Sequence, residues 1–123
     1  IAVFRLMLQP LVENSILHGI RRKEHKGYIK IQIFERQGLV HFRVVDNGMG
    51  MTGAEQESLR LSIETLNVHH IGLANVHRRL QLYYGDAAGI KIRSKPGWGC
   101  VMEFCLPMHQ ENRKSAKNEG KSQ

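Results

Sequence analysis

Ile29, Ile31 and Ile33 alternate with Lys30 and Gln32, and beyond Gln37-Gly38 a second apolar run extends from Leu39 to Asp46. Successive side chains of a strand point to opposite faces, so this period of two predicts a strand over Tyr28–Arg36. Gln37-Gly38 is a tight connection, and Leu39–Asp46 is expected to return as a second, more buried strand of an antiparallel hairpin.

The rest of the chain supplies elements of both kinds. Leu6, Leu8, Leu11, Val12, Ile16 and Leu17 form a broad apolar stripe that predicts a helix from about Arg5 to Gly19. Pro10 lies inside it, so either the regular helix starts there or it kinks; Gly19 is the expected stop. After Asp46, two glycines break regular structure. Thr52, with Glu55 three residues later, makes a capping box for a short helix ending near Leu66. A loop follows over Asn67–Ile71. Leu73–Tyr84 reads as a stronger helix, with Val76, Leu80 and Tyr83 on one face and Gly85 as its stop. Ile90–Ser94 and Cys100–Leu106 read as strands around a turn at Lys95-Pro96-Gly97-Trp98-Gly99. The expected fold is α+β: a two-layer sandwich, with helices packed on one face of a mainly antiparallel mixed sheet. One domain, residues 1–109, is expected, followed by a polar basic tail, residues 110–123, whose composition argues for disorder.

The 123 residues carry a formal net charge of +7, which raises the question of nucleic acid. Most of that surplus is local. Arg21, Arg22, Lys23 and Lys26 against Glu24 lie between the first helix and the first strand; Arg113, Lys114, Lys117 and Lys121 against Glu111 and Glu119 lie in the tail. A nucleic-acid surface gathers its basic residues on one face among aromatic or polar readers of bases. Solvated loop charge is the better account, and no nucleic-acid partner is expected. Cys100 and Cys105 are five apart on one strand, hence on opposite faces, and are expected to be reduced thiols. His70 and His77 can share a helical face, yet no Cys or carboxylate completes a zinc set around them. No apolar run approaches the roughly 18 residues that span a membrane. The chain begins at Ile1, and a longer parent protein is expected.

Three separated segments hold polar or small residues that folding alone does not require. In Glu13-Asn14-Ser15-Ile16-Leu17-His18-Gly19, Asn14 and His18 share a helical face. They are either its solvent side or a site where Asn14 offers an amide oxygen to Mg²⁺ beside phosphate, with His18 near phosphate or sugar. In Asp46-Asn47-Gly48-Met49-Gly50-Met51, a carboxylate ends a buried strand, where it can accept a hydrogen bond from an exocyclic amine. The glycines let the backbone turn and approach a ligand. The same residues also make an ordinary turn. In Ile71-Gly72-Leu73-Ala74-Asn75, a glycine opens a helix whose N-terminal amides suit a phosphate.

Their order and spacing, from about Leu6 to Pro107, resemble the ATP-binding domain of histidine kinases, within the superfamily that also holds gyrase, chaperone and mismatch-repair ATPases (the Bergerat-type fold). Leu8-Gln9-Pro10-Leu11-Val12-Glu13-Asn14, with Asn75-Val76, Arg79-Leu80 and Tyr84-Gly85, resembles the membrane sensor kinases with an internal-region phosphoacceptor domain. The resemblance implies ATP and Mg²⁺ as cofactors. It implies that Asn14 binds Mg²⁺ and Asp46 reads the adenine amine, that Gly48, Gly50 and Met51 shape the adenine pocket, and that Thr52–Ile71 forms a lid. Gly72 and Leu73, with His70 and Ile71 before them, would meet the phosphates. Glu13 is the acid/base candidate, although neighbouring helical residues point about 100° apart.

The implied reaction is transfer of the γ-phosphoryl group of ATP to a histidine on an upstream dimerisation domain, then onward to a response regulator. The implied setting is the cytoplasmic part of a membrane-anchored homodimeric sensor. The fragment itself would be a monomer that binds ATP without phosphorylating itself. Some positions depart from the family pattern. Leu17 replaces a common phosphate-contacting Lys, His70 a glycine, and Cys100 a threonine close to the adenine. Pro10 stands where hydrolysing relatives carry Glu, so efficient ATP hydrolysis is not expected. A nucleotide-sensing domain that has lost transfer activity is the alternative.

Overall fold

The computed structural model describes residues 2–17 and 26–108. Helix α1 (Ala2–Ser15) leads to the hairpin β1 (Ile29–Arg36) and β2 (Leu39–Asp46). Helix α2 (Gly53–Glu64), a 3-10 turn (Val68–His70) and helix α3 (Ile71–Tyr84) follow. A second 3-10 turn (Asp86–Ala88) precedes β3 (Lys91–Lys95) and β4 (Gly99–Pro107). The strands form one sheet in the order β1-β2-β4-β3, and every pairing among the described residues is antiparallel. The helices cover one face of it, the α+β sandwich expected from the periodicities.

The core lies between that face and the helices. Phe42 and Val44 of β2 and Met102 and Phe104 of β4 meet Leu11, Leu59, Ile63, Val76 and Leu80. Phe42 and Phe104 are register partners, and their rings stack with centroids 5.0 Å apart. Alternation along β4 buries Cys100, Met102, Phe104 and Leu106, while Glu103 and Cys105 point to the opposite face. The two thiols are thus on opposite faces, as their odd spacing requires.

Pro10 sits inside α1, which begins before Arg5 and continues past the proline. Proline cannot donate to the carbonyl four residues back, here that of Leu6, an exposed residue whose backbone can turn to water. The last turn of α1 loosens into a π turn at Ile16–Leu17. Gly19, the basic loop and the tail expected over 110–123 lie outside the described residues. Between β1 and β2, Gln37 (φ 55) and Gly38 (φ 80) make the left-handed pair of a two-residue hairpin turn that matches strand twist. In β1, the apolar face is only partly covered: Ile31 and Ile33 stay exposed and border an apolar groove of about 730 Å³ with Leu8, Val12 and Phe42. On α3, Tyr84 packs against the core and Tyr83 is exposed, a correction to the expected face. One residue of helical rotation separates the two.

His77 of α3 fastens the entry to β3. Its Nδ1 accepts the Ile90 N–H at 2.9 Å, so the ring is the neutral Nε2–H tautomer. Gly89 lies against the same ring, too close for any side chain. Burial lowers the His77 pKa, Glu64 raises it in part, and Lys91 lowers it further. Depressed in the folded state, the imidazole contributes stability that is complete above its unfolded pKa and lost as pH falls through the folded value. Protonation also sets two donors, Nδ1–H and Ile90 N–H, against each other. Urea midpoints should therefore drop more between pH 7.5 and 5 in the wild type than in His77→Gln. Equal drops would show that the imidazole does not titrate against this contact.

Candidate functional site

Asp46 ends β2 with only 3 % of its surface exposed. Its Oδ1 accepts the Gly48 N–H at 2.8 Å, and no other donor among the described residues reaches the carboxylate. Gly48, Gly50 and Met51 carry the chain away from it in a loop docked on the β3–β4 turn. The Met49 carbonyl accepts the Gly97 N–H at 2.7 Å, and the Met51 N–H donates to Ser94 Oγ at 2.9 Å. Gly50 (φ 74) lies against the Lys95 carbonyl, and Gly99 (φ 111) against the Asp46 carbonyl; a Cβ at either would overlap backbone. Cys100 faces Asp46 across the β2–β4 ladder. Burial pushes its thiol up to about 12, the Asp46 charge adds to that, and a Ser94 hydrogen bond offsets part of it. It is a neutral, largely apolar wall.

Asn47 does a different job. Its Oδ1 accepts the Tyr28 N–H at 2.7 Å and anchors the start of β1.

Ser94 and Gln56 were not singled out from the sequence. Ser94 is buried, donates to the Gly99 carbonyl and receives the Met51 N–H, while Gln56 Nε2 donates to the Ser94 carbonyl at 2.8 Å. The signal for Ser94 was present: counting by twos from Ile90 and Ile92 puts it on the buried face just before a turn. Nothing in the local pattern marks Gln56.

The second group surrounds a cavity of about 140 Å³ between α1 and the start of α3, lined by Glu13, Asn14, Leu17, His70, Gly72 and Leu73 among others. Gly72 lets the helices approach, since a Cβ there would stand 3.3 Å from Pro10. The two N-termini differ. Thr52 and Glu55 close the capping box of α2, whereas α3 begins at His70 with no side-chain cap and no acidic residue in its first turn. Its dipole is open to an anion.

Glu13 borders the cavity beside Asn14 despite the angle between them, and its Oε2 accepts from Gln9 at 3.0 Å. Ile71 is at the rim. His18 lies outside the described residues. The Asp46 group does not line this cavity, so the two groups are separate. The cavity is smaller than whole-ligand pockets, which run to about 300 Å³ or more. The larger groove beside β1 has a nearly apolar lining, with Arg5 and Gln9 at its border. Of the segment expected as a lid, α2 is tied to the core by Leu59 and Ile63, while neither Thr52–Ser58 nor Thr65–His70 has a buried residue.

A sequence profile described as histidine kinase-, DNA gyrase B-, and HSP90-like ATPase matches residues 2–110. The chain belongs to this ATPase family. Within the family its relatives are histidine kinases. An uncharacterized sensor-like histidine kinase of Staphylococcus epidermidis is 36 % identical over 106 residues, covering 85 % of this chain and 20 % of that protein. The sensor protein kinase HptS of Staphylococcus aureus is 32 % identical over 110 residues, covering 88 % and 21 %. The chain thus spans about a fifth of the length of these relatives. The histidine kinase domain of the Erythrobacter litoralis EL346 blue-light activated histidine kinase has the same fold, with a TM-score of 0.62 over 88 % of this chain and 44 % of that one at 14 % identity. This is a histidine-kinase ATPase domain. No described helix is long and apolar enough to cross a membrane.

Proposed function

We propose that this histidine-kinase ATPase domain binds Mg²⁺-ATP and transfers the γ-phosphoryl group to a histidine on an upstream dimerisation domain of the same protein, in a two-component membrane sensor. The observation that supports this reading is Asp46: a carboxylate 3 % exposed at a strand end, with Oδ1 held by one backbone amide and its other oxygen free to accept from a ligand. The adenine amine is such a donor, and guanine offers a carbonyl there instead. Gly48, Gly50, Met51 and Cys100 form the adenine walls.

The α1–α3 cavity takes the phosphates, with the uncapped start of α3 at Ile71–Leu73 as its anion seat and His70 beside it. Asn14 would hold Mg²⁺ through its amide oxygen, and the donor set fits a hard cation shared with phosphate. Bound there, the ion supplies charge neutralisation for phosphoryl transfer. The domain's own work is positioning: an imidazole nitrogen is already nucleophilic, so orientation of the reacting groups dominates. Glu13, bordering the same cavity, would hold the proton lost by the acceptor histidine. A response regulator would then receive the phosphate from a homodimeric kinase. Leu17 at the cavity contributes no charge, which favours the second reading, a nucleotide sensor without transfer.

Calorimetry of Mg²⁺-ATP and Mg²⁺-GTP, followed by γ-phosphate labelling of the full-length parent, tests both readings. ATP should bind and GTP should not, with label reaching the parent's histidine and not the 123-residue chain alone. ATP binding without labelling of the parent would establish the sensor reading. No binding up to several millimolar ATP would sink both.

A further inference from the structure

On the sheet face away from the helices, three metal-ligating side chains converge. His41 lies directly across the β2–β4 ladder from Cys105, and Glu103 is two residues before Cys105 on the same side of β4. His41 Nδ1 and Glu103 Oε2 are 2.6 Å apart, Cys105 Sγ and His41 Nδ1 3.1 Å, and Cys105 Sγ and Glu103 Oε2 3.5 Å. All three residues are half-buried. The nucleotide residues use the other face and the far end of β4, about five residues or 16 Å along the strand.

We infer that His41, Glu103 and Cys105 form a three-ligand site for a zinc-class divalent cation, with its fourth position open to water or a partner's ligand. Ligand atoms about 2.0–2.3 Å from a tetrahedral zinc ion stand about 3.3–3.7 Å from one another. The Cys105–Glu103 distance matches that triangle, the Cys105–His41 distance is a few tenths of an ångström short, and the His41–Glu103 hydrogen bond must open by about 0.7 Å to admit the ion. The donors, one imidazole nitrogen, one thiolate and one carboxylate oxygen, suit zinc.

The surroundings hold the ligands as metal sites do. His41 stacks on Phe34 with centroids 4.7 Å apart and planes 2° apart, which fixes its ring. Arg43 Nε donates to Glu103 Oε1 at 3.0 Å, leaving Oε2 to the metal. Arg43, with Arg93 4.0 Å from the same carboxylate, adds positive charge that weakens the hold on a cation. On binding, Cys105 releases its thiol proton to solvent and the sulfur becomes a ligand, while His41 gives up the Nδ1 proton it shares with Glu103 and keeps its ring proton on Nε2; nothing is oxidised. The metal would cross-link β2 to β4.

The site is read with Co²⁺ as a spectroscopic stand-in and Zn²⁺ as competitor, on the reduced 123-residue chain after chelator treatment. One equivalent of Co²⁺ should give a thiolate-to-metal charge-transfer band that Zn²⁺ removes. The band should persist in Cys100→Ala and vanish in Cys105→Ser and His41→Gln. No band, or a band that survives loss of His41 or Cys105, would overturn the site. If a variant fails to fold, alkylation decides in the wild type: Zn²⁺ should slow modification of Cys105 at least about tenfold, as expected when metal coordination blocks the reactive thiolate. An unchanged rate refutes it.

Discussion

Asp46→Asn should abolish measurable ATP binding while leaving the fold intact. The substitution keeps size and shape, and the amide oxygen still accepts the Gly48 N–H. What changes is the second polar atom, which turns from acceptor to N–H donor and would face the adenine amine, also a donor. Losing a hydrogen bond to a buried charge costs about 1.5–3 kcal/mol, and opposing two donors adds to it, so affinity should fall by about 100-fold or more. Calorimetry reads the affinity and thermal unfolding reads the fold. Unchanged ATP affinity in a folded Asp46→Asn domain would remove Asp46 from the adenine role. Reduced affinity together with unfolding would point instead to a capping role at Gly48.

Gly50→Ala should be far more damaging than Gly38→Ala, although the two glycines have nearly the same backbone angle, φ 74 and φ 80. At Gly38 nothing lies within 4 Å of an added Cβ, so only left-handed strain remains, about 1 kcal/mol. At Gly50 the Cβ would overlap the Lys95 carbonyl, which belongs to a backbone that cannot turn aside. Relief requires the Asp46–Met51 loop to lift off the β3–β4 turn, breaking the Gly97 N–H to Met49 and Met51 N–H to Ser94 bonds. We expect about 3 kcal/mol or more of destabilisation, a melting temperature lower by more than about 10 °C, and loss of ATP binding with it. Equal melting temperatures for the two variants would mean that the loop is not docked as described.

The elements whose reason is local were legible in the sequence. Thr52 and Glu55 announced their capping box, Gln37-Gly38 their hairpin, and the alternation through β4 the opposite faces of Cys100 and Cys105, because each depends on spacing within a few residues. The candidate motifs Asp46-Asn47-Gly48-Met49-Gly50 and Ile71-Gly72-Leu73 stood out in the same way, as a strand-end turn and a helix start, but the sequence could not place them relative to one another. Glu13 shows the limit: a helical-wheel angle set it apart from Asn14, while the α1–α3 cavity is wide enough to admit both.

By itself, then, the sequence determined the two periods, the turns, the caps and the family, all properties of neighbouring residues. Only the tertiary structure decided what meets across the sheet and between the helices. It seated Gly72 against Pro10, made Ser94 the post on which the Asp46–Met51 loop hangs, and left Ile31 and Ile33 exposed on an edge strand. It also brought His41 to Glu103 across 62 residues of chain. Strand order and helix docking set these contacts through burial summed over the whole core, and no short window of residues contains that sum.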